Sequence, residues 1–246
     1  MEKIAVWFSN GAASAVALQE TIKKYGTTHE IRALNSPVIE EDEDNLRFAA
    51  DVERWLGVRI ERVTNSRFPA ASAAEVWDWS NGMSFPHGAS CTLELKKQAR
   101  YDWERVNKPD WHVLGFPLEE KRRHDQFVLS ERSNVLPILI WKRLTKQDCY
   151  RRIQSAGITL PRLYHMGYPN ANCIGCVKSA SPTYWNLVRR TFPLVFDARA
   201  EQSRRLGSRL VIHKGKRIFL DELPPDARGM KLRGAMECGV FCEERR

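Results

Sequence analysis

The chain has 246 residues, 43% of them apolar, enough for one large α/β domain or a domain with an appended subdomain. No run approaches the ~18 apolar residues of a membrane span, and the N-terminus starts directly on a strand-like segment without the apolar stretch and cleavage site of a signal peptide; a cytoplasmic protein with no membrane partner is expected. Lys and Arg number 39 against 30 Asp and Glu, a net charge of +9, spread along the chain rather than gathered in a tail. That balance suits either an ordinary basic surface or a polyanionic partner such as nucleic acid or a phosphorylated nucleotide.

In chain order, Ile4 to Phe8 reads as a strand that ends in Ser9-Asn10-Gly11-Ala12-Ala13-Ser14. A helical pattern with Val16, Ala17 and Ile22 on one face follows, to Tyr25-Gly26: strand, small-residue turn, helix is the start of a βα unit. Ile31 to Leu34 is the second strand. The acidic stretch Glu40 to Asp44 is expected to open a helix through Leu46, Phe48, Val52 and Leu56, either as a solvated first turn that complements the dipole or as a Mg²⁺ site near a triphosphate. Val58 to Val63, Trp111 to Gly115 and Val135 to Ile140 are the third, fourth and fifth strands. Strands alternating with helices predict an α/β fold: a doubly wound, mostly parallel five-stranded sheet.

After Trp141 the texture changes. Thr145-Lys146-Gln147-Asp148 predicts a capped helix start running to Ala156-Gly157. Pro161 and Pro169 bracket a loop into Cys173-Ile174-Gly175-Cys176, and Thr183 to Leu206 is an Arg-rich helical stretch. From Pro224 the chain is rich in Gly, Pro and charge, an arm that delivers Cys238 and Cys242. The division expected is 1–141, a nucleotide-binding α/β domain, and 142–246, a helical, cysteine-bearing region with its C-terminal arm.

The first βα turn places small residues where backbone must approach a ligand, and its helix offers unpaired N–H groups to a phosphate; Ser9, Asn10, Gly11, Ala12 and Ser14 are the candidate contacts. The turn is neither G-x-x-x-x-G-K-[ST] nor G-x-G-x-x-G. Gly115 follows a strand end, where doubly wound sheets bind ligands. Cys149, on a helical face, reads as a buried apolar side chain. For Cys91, Cys173, Cys176, Cys238 and Cys242, metal binding and redox chemistry both stay open. Lys96, Lys97, Arg100, Lys121, Arg122, Arg123 and Lys178 are candidate anion contacts. His124 reads as a solvated helix residue or an acid–base group, Trp77-Asp78-Trp79 as core or a loop anchor, and the pairs Arg189-Arg190 and Arg204-Arg205 as solvated helix faces or a nucleic-acid footprint.

Ser9-Asn10-Gly11-Ala12-Ala13-Ser14 resembles the S-G-G-x-D-S loop of the adenine-nucleotide α-hydrolase (HUP, PP-loop) superfamily, with Asn10 in place of a Gly and Ala13 in place of the Asp. The missing Asp points away from a magnesium-dependent ATP pyrophosphatase and toward the 3′-phosphoadenylylsulfate (PAPS) reductase branch. Cys91-Thr92-x-x-Leu95-Lys96 resembles the Cys-x-x-x-Leu-Lys element of that family and of its phage relatives. Val135-Leu136-Pro137-Ile138 with Thr145 to Asp148, the run from Leu160 through Cys173-x-x-Cys176-Val177-Lys178, and Glu237-Cys238-Gly239 resemble further family segments, so the resemblance covers almost the whole chain.

The resemblance implies an enzyme of adenine-nucleotide-dependent sulfur chemistry. Phosphates would lie on the Ser9 to Ser14 loop and adenine against the second strand near Leu34 and Ser36. It implies a four-thiolate iron–sulfur cluster (4Fe–4S, with zinc as the alternative) on Cys91, Cys173, Cys176 and Cys242, since position 92 is Thr where those reductases carry a second cysteine. Cys238 would be the nucleophile, Lys96 and Lys178 the cations for the leaving phosphate; the roles of Cys238 and Cys242 are open to exchange. Expected partners are an adenine nucleotide or sulfonucleotide, a thioredoxin-like reductant, nucleic acid and a second copy of the chain. Two rivals remain: a PP-loop sulfurtransferase that adenylates nucleic acid, and a zinc-stabilised nucleic-acid-binding protein without catalysis.

Overall fold

Ile4, Ala5 and Val6 are fully buried, as a central strand requires. They lie in β1 (Lys3–Trp7), the middle of a sheet built from alternating strands and helices. The computed structural model describes residues 1–86 and 88–229. In chain order the elements are β1, α1 (Ala12–Tyr25), β2 (Glu30–Asn35), α2 (Asp44–Leu56), β3 (Ile60–Arg62), α3 (Ala73–Trp79), α4 (Ser90–Thr92), a π-helical turn over Leu93–Gln98, and α5 (Ala99–Asn107). Then come β4 (Trp111–Val113), α6 (Lys121–Ser130), β5 (Val135–Leu136), α7 (Ile138–Trp141), α8 (Lys146–Ser155), α9 (Arg162–His165), α10 (Pro182–Thr191), α11 (Pro193–Arg205), β6 (Val211–His213) and β7 (Lys216–Ile218). The fold is α/β, with a five-stranded, all-parallel sheet in the order β3-β2-β1-β4-β5.

The chain forms two compact units that alternate along the sequence: residues 1–37, 43–63 and 99–162 make the first, and 38–42, 64–98 and 163–246 the second. A single division at residue 141 does not coincide with them, because short segments from the N-terminal half fold with the C-terminal residues.

The first unit holds the sheet. Trp7 packs edge-on against Trp103 of α5, and its neighbour Phe8 stacks with Phe48 of α2. Successive residues of an extended strand point to opposite faces, so helices cover both sides. Pro137 ends the fifth strand at Leu136, and Ile138 to Ile140, expected as strand, turn into α7: the residue after the strand has no N–H to give the ladder. Thr145 and Asp148 form the capping box expected at α8, each side chain bonded to the other's backbone N–H.

The second unit has its own core around Trp77, Leu163, Tyr184, Trp185, Val188, Phe196 and Leu210. The stretch from Thr183 to Leu206 is two helices, not one. Phe192 sits at φ −139°, ψ 66° between α10 and α11, because Pro193 pushes the residue before it out of the α region. β6 and β7 form an antiparallel hairpin, closed by Lys214 and Gly215, both at positive φ (48° and 77°) as a two-residue turn of this kind requires. Among the described residues, no helix is long and apolar enough to cross a membrane.

Candidate functional site

In the first unit, the order β3-β2-β1-β4-β5 adds β2 and β3 on one side of β1 and β4 and β5 on the other, so the switch point lies between β1 and β4. Open parallel sheets bind ligands at such a switch point, beyond the carboxyl ends of the strands. The Ser9 to Ser14 turn leaves the carboxyl end of β1 there. Asn10 adopts the left-handed conformation at φ 57°, which Asn tolerates better than most residues. Gly11 is the N-cap of α1, and among the described residues no side chain caps the helix, so its first N–H groups are open to another acceptor. The buried Ser14 hydroxyl is spent on the turn itself: it donates to the Gly11 carbonyl at 2.9 Å and accepts from the Ser9 N–H at 3.1 Å. Ser9 is exposed and Ala12 buried.

Gly115, just beyond β4, closes onto the same turn. A Cβ at that position would lie 2.7 Å from the Ser14 nitrogen and 2.8 Å from its Cα, so only glycine allows this approach. Leu34 is fully buried with its carbonyl bonded to the Phe8 N–H at 2.7 Å, and Ser36 is buried; the side chain of Leu34 is committed to the core.

His124 is buried, not solvated. It packs edge-on to Phe116 and its Nδ1 lies 3.2 Å from Asp125. Beside it Arg123 bonds Glu120 at 2.9 Å; burial pushes the Glu120 carboxyl up, opposed by Arg123 and Lys146. Lys121 and Arg122 are exposed. Arg100 is fully buried between Glu104 and Glu131, at 3.7 and 3.6 Å, which makes it structural rather than an anion contact. Cys149 is completely buried, and burial pushes its thiol up to about 12, as befits an inert core side chain.

The second unit brings together three of the predicted cysteines. Cys176 belongs to its core, and Cys91 and Cys173 pack against that core. The Cys173–Cys176 loop is held at both amides: Ile174 N–H donates to the Glu40 carbonyl at 2.9 Å, and Cys176 N–H to the Tyr184 hydroxyl at 2.7 Å. Gly175 takes φ +71°, and a Cβ there would stand 3.2 Å from Cγ of Arg199. Arg199 is only 7% exposed and lies over the Trp77 ring at 4.7 Å. Burial pushes its guanidinium below the ordinary value, and Glu40, Cys173 and Cys91 pull it back. Its Nε–H has no acceptor among the described residues.

Of the acidic stretch, Asp44 lies in the first turn of α2, as expected, while Glu40 and Glu41 are engaged elsewhere. The Glu40 carboxylate accepts from the Ser72 hydroxyl and the Ala73 and Ala74 N–H groups at 2.8–2.9 Å, capping α3. Glu41 pairs with the buried Lys96 at 3.0 Å. α2 starts only at Asp44. Lys97 is buried, and Lys178 is half-buried in the turn after Cys176. Trp77 is core, whereas Trp79 is exposed beside Phe68 and Arg67. The Arg pairs are largely engaged within the unit: Arg189 donates to the Leu223 carbonyl at 2.8 Å, Arg204 to Asp221 at 2.6 Å and Arg205 to Asp78 at 2.7 Å.

Among the described residues, no three His, Cys, Asp or Glu side chains stand close enough to hold a metal ion. Cys238 and Cys242 lie outside the described residues. The donor chemistry nonetheless suits a thiolate-bound group: Cys176 lies in the core of this unit and Cys91 and Cys173 pack against that core, and thiolates favour zinc or iron–sulfur centres. Sequence reasoning missed Arg199, which carries no motif, and read Glu40 only as part of the acidic stretch, not as the residue that caps α3 and holds the Ile174 amide. Neither a scan of protein-family models nor a search of curated proteins finds a match for this chain.

Proposed function

We propose that the protein is a PAPS-reductase-like enzyme of the PP-loop type, binding an adenine sulfonucleotide in its first unit and carrying thiol-dependent sulfur chemistry on its cysteines. The observation that carries the reading is the uncapped N-terminus of α1 at the switch point between β1 and β4. Backbone N–H groups and the positive helix end favour a phosphate there, and Gly115 narrows the turn from the β4 side. The cysteine motifs supply the second half of the argument.

In this reading the Cys238 thiolate attacks the sulfuryl sulfur of PAPS. An S–S bond forms, the sulfur–oxygen bond to phosphate breaks, and adenosine 3′,5′-bisphosphate leaves with the electron pair. Lys178 and Lys96 offset the leaving phosphate's charge, Lys96 sharing its ammonium with Glu41. A thioredoxin-like dithiol then attacks the Cys238 sulfur of the thiosulfonate; sulfite leaves, the second thiol resolves the mixed disulfide, and the dithiol is oxidised by two electrons. Cys91, Cys173, Cys176 and Cys242 would hold the cluster, which when bound supplies a fixed anionic centre.

The test is sulfite release from PAPS with a dithiol donor under anaerobic conditions. Wild-type protein is expected to turn over, Cys238→Ser to lose sulfite formation entirely, and Cys242→Ser to lose iron. Turnover unaltered by Cys238→Ser contradicts the assignment. Pyrophosphate release from ATP in the presence of RNA or DNA would instead establish the nucleic-acid sulfurtransferase, the reading that the charge of +9 favours.

A further inference from the structure

Between Glu201 and Asp221 the chain carries six Lys or Arg residues and no Asp or Glu, a local charge of +6 against +9 for the whole chain. Two of the six are paired: Arg204 with Asp221 and Glu222, and Arg205 with Asp78. The other four, Arg209, Lys214, Lys216 and Arg217, are exposed and make no ion pair among the described residues. Like charges crowded on one surface raise its potential and draw polyanions. Three of the four sit on the β6–β7 hairpin, which is firmly seated. Val211 is fully buried, the Ile212 N–H donates to the Ala180 carbonyl at 2.9 Å, and Arg209 lies over the buried Phe219 ring at 5.2 Å. The pairing of Ile212 with Arg217 puts both on the face opposite Val211 and Ile218, which belong to the core side. Lys214 takes the first turn position at φ 48°, where Asn, Asp or Gly would sit with less strain. The tip therefore keeps a cation at a conformational cost, which points to a use for the charge.

We propose that the β6–β7 hairpin is a docking surface for duplex DNA, with Lys214, Lys216 and Arg217 on backbone phosphates and Arg209 at its base. The proposal goes beyond the sulfonucleotide reading and does not depend on it. A two-stranded ribbon fits the B-form major groove, about 12 Å wide, whereas the deep, narrow major groove of duplex RNA does not admit side chains. A single strand is held by aromatic rings that stack its bases, and residues 209–218 include no Phe, Trp or Tyr. Exposed Lys and Arg neutralise phosphates whatever the sequence, so binding independent of base sequence is expected.

The experiment is equilibrium binding of the full chain to a short mixed-sequence DNA duplex, the matching single strand, the matching RNA duplex and anionic phospholipid vesicles, from about 50 to 200 mM salt. Three variants accompany wild type, each with a thermal melt as a check on folding. The first combines Lys214→Gln, Lys216→Gln and Arg217→Gln. The second combines Lys24→Gln, Arg54→Gln and Lys108→Gln, exposed cations of the first unit, and removes the same charge elsewhere. The third is Lys214→Asn, which suits the left-handed turn position and serves if the first does not fold. Wild type is expected to bind duplex DNA most tightly. The hairpin triple variant is expected to bind at least about tenfold more weakly, with a slope of log K against log salt shallower by roughly 2 to 3, and Lys214→Asn with one shallower by about 1. The first-unit triple variant is expected to stay within about twofold of wild type, since its cations are not at the contact. No duplex binding by wild type, tighter binding to the single strand, RNA or vesicles, an unchanged slope in the folded hairpin variants, or an equal loss in the first-unit variant would each overturn the proposal.

Discussion

His112 shows how one residue's surroundings set a property of the whole fold. It sits in β4 with 1% of its surface exposed, and its Nδ1 accepts the Trp7 indole N–H at 3.1 Å. Burial, then Arg132 and Arg100, push it from 6.5 down to about 3, so it is neutral in the folded protein. Below about pH 6 the unfolded chain binds a proton at this position that the folded chain refuses. Stability therefore falls as pH falls from the unfolded toward the folded value, by up to about 1.4 kcal/mol per pH unit. In His112→Asn, where the amide oxygen can still accept from Trp7, urea denaturation across pH 6 to 4 is expected to show a flatter profile than wild type; an equal slope contradicts the assignment. Neutral His112 was not legible in the sequence, because its partners come from β1, α5 and the residues after α6. Cys149 was, since helical spacing alone placed it on an apolar face.

Elements were legible where a residue dictates the backbone locally. Thr145 and Asp148 announce their helix through the capping box, and small residues after Phe8 mark the turn into α1. Where a proline acts against the surrounding pattern, the apolar periodicity misled: Pro137 cuts the fifth strand short and Pro193 splits a helix. The β6–β7 hairpin escaped notice because each strand has three residues, too few for alternation to register. Gly115 belongs to this scale, for it sets how closely the turn after β4 approaches α1. Gly115→Ala puts a methyl 2.7 Å from the Ser14 backbone nitrogen, and backbone cannot step aside as a flexible side chain would. A loss of about 1–3 kcal/mol is expected, read as a lower urea midpoint at unchanged m-value, together with weaker nucleotide binding. Wild-type stability in this variant would mean that the approach is not tight.

At the scale of the molecule, the five strands and their parallel sense followed from alternating strands and helices, but the order of the strands and the division into units did not. Residues 38–42 and 64–98 fold with the C-terminal residues, and their ties, such as Glu40 to the Ile174 N–H, join positions that no local pattern connects. The account as a whole depends on a phosphate seated at the start of α1. Gly11→Asp separates that claim from any effect on folding. An Asp at an N-cap favours the helix by a few tenths of a kcal/mol over the Gly it replaces, and it places a carboxylate where the phosphate would bind. The direct measurement is equilibrium binding of PAPS and ATP to wild type and Gly11→Asp, alongside their thermal melts. The account predicts saturable binding to wild type, lost at least about tenfold in a variant that melts no lower, the effect of one unfavourable charge contact of about 1.4 kcal/mol. Equal affinity in the two proteins, or no saturable binding to wild type, would contradict it.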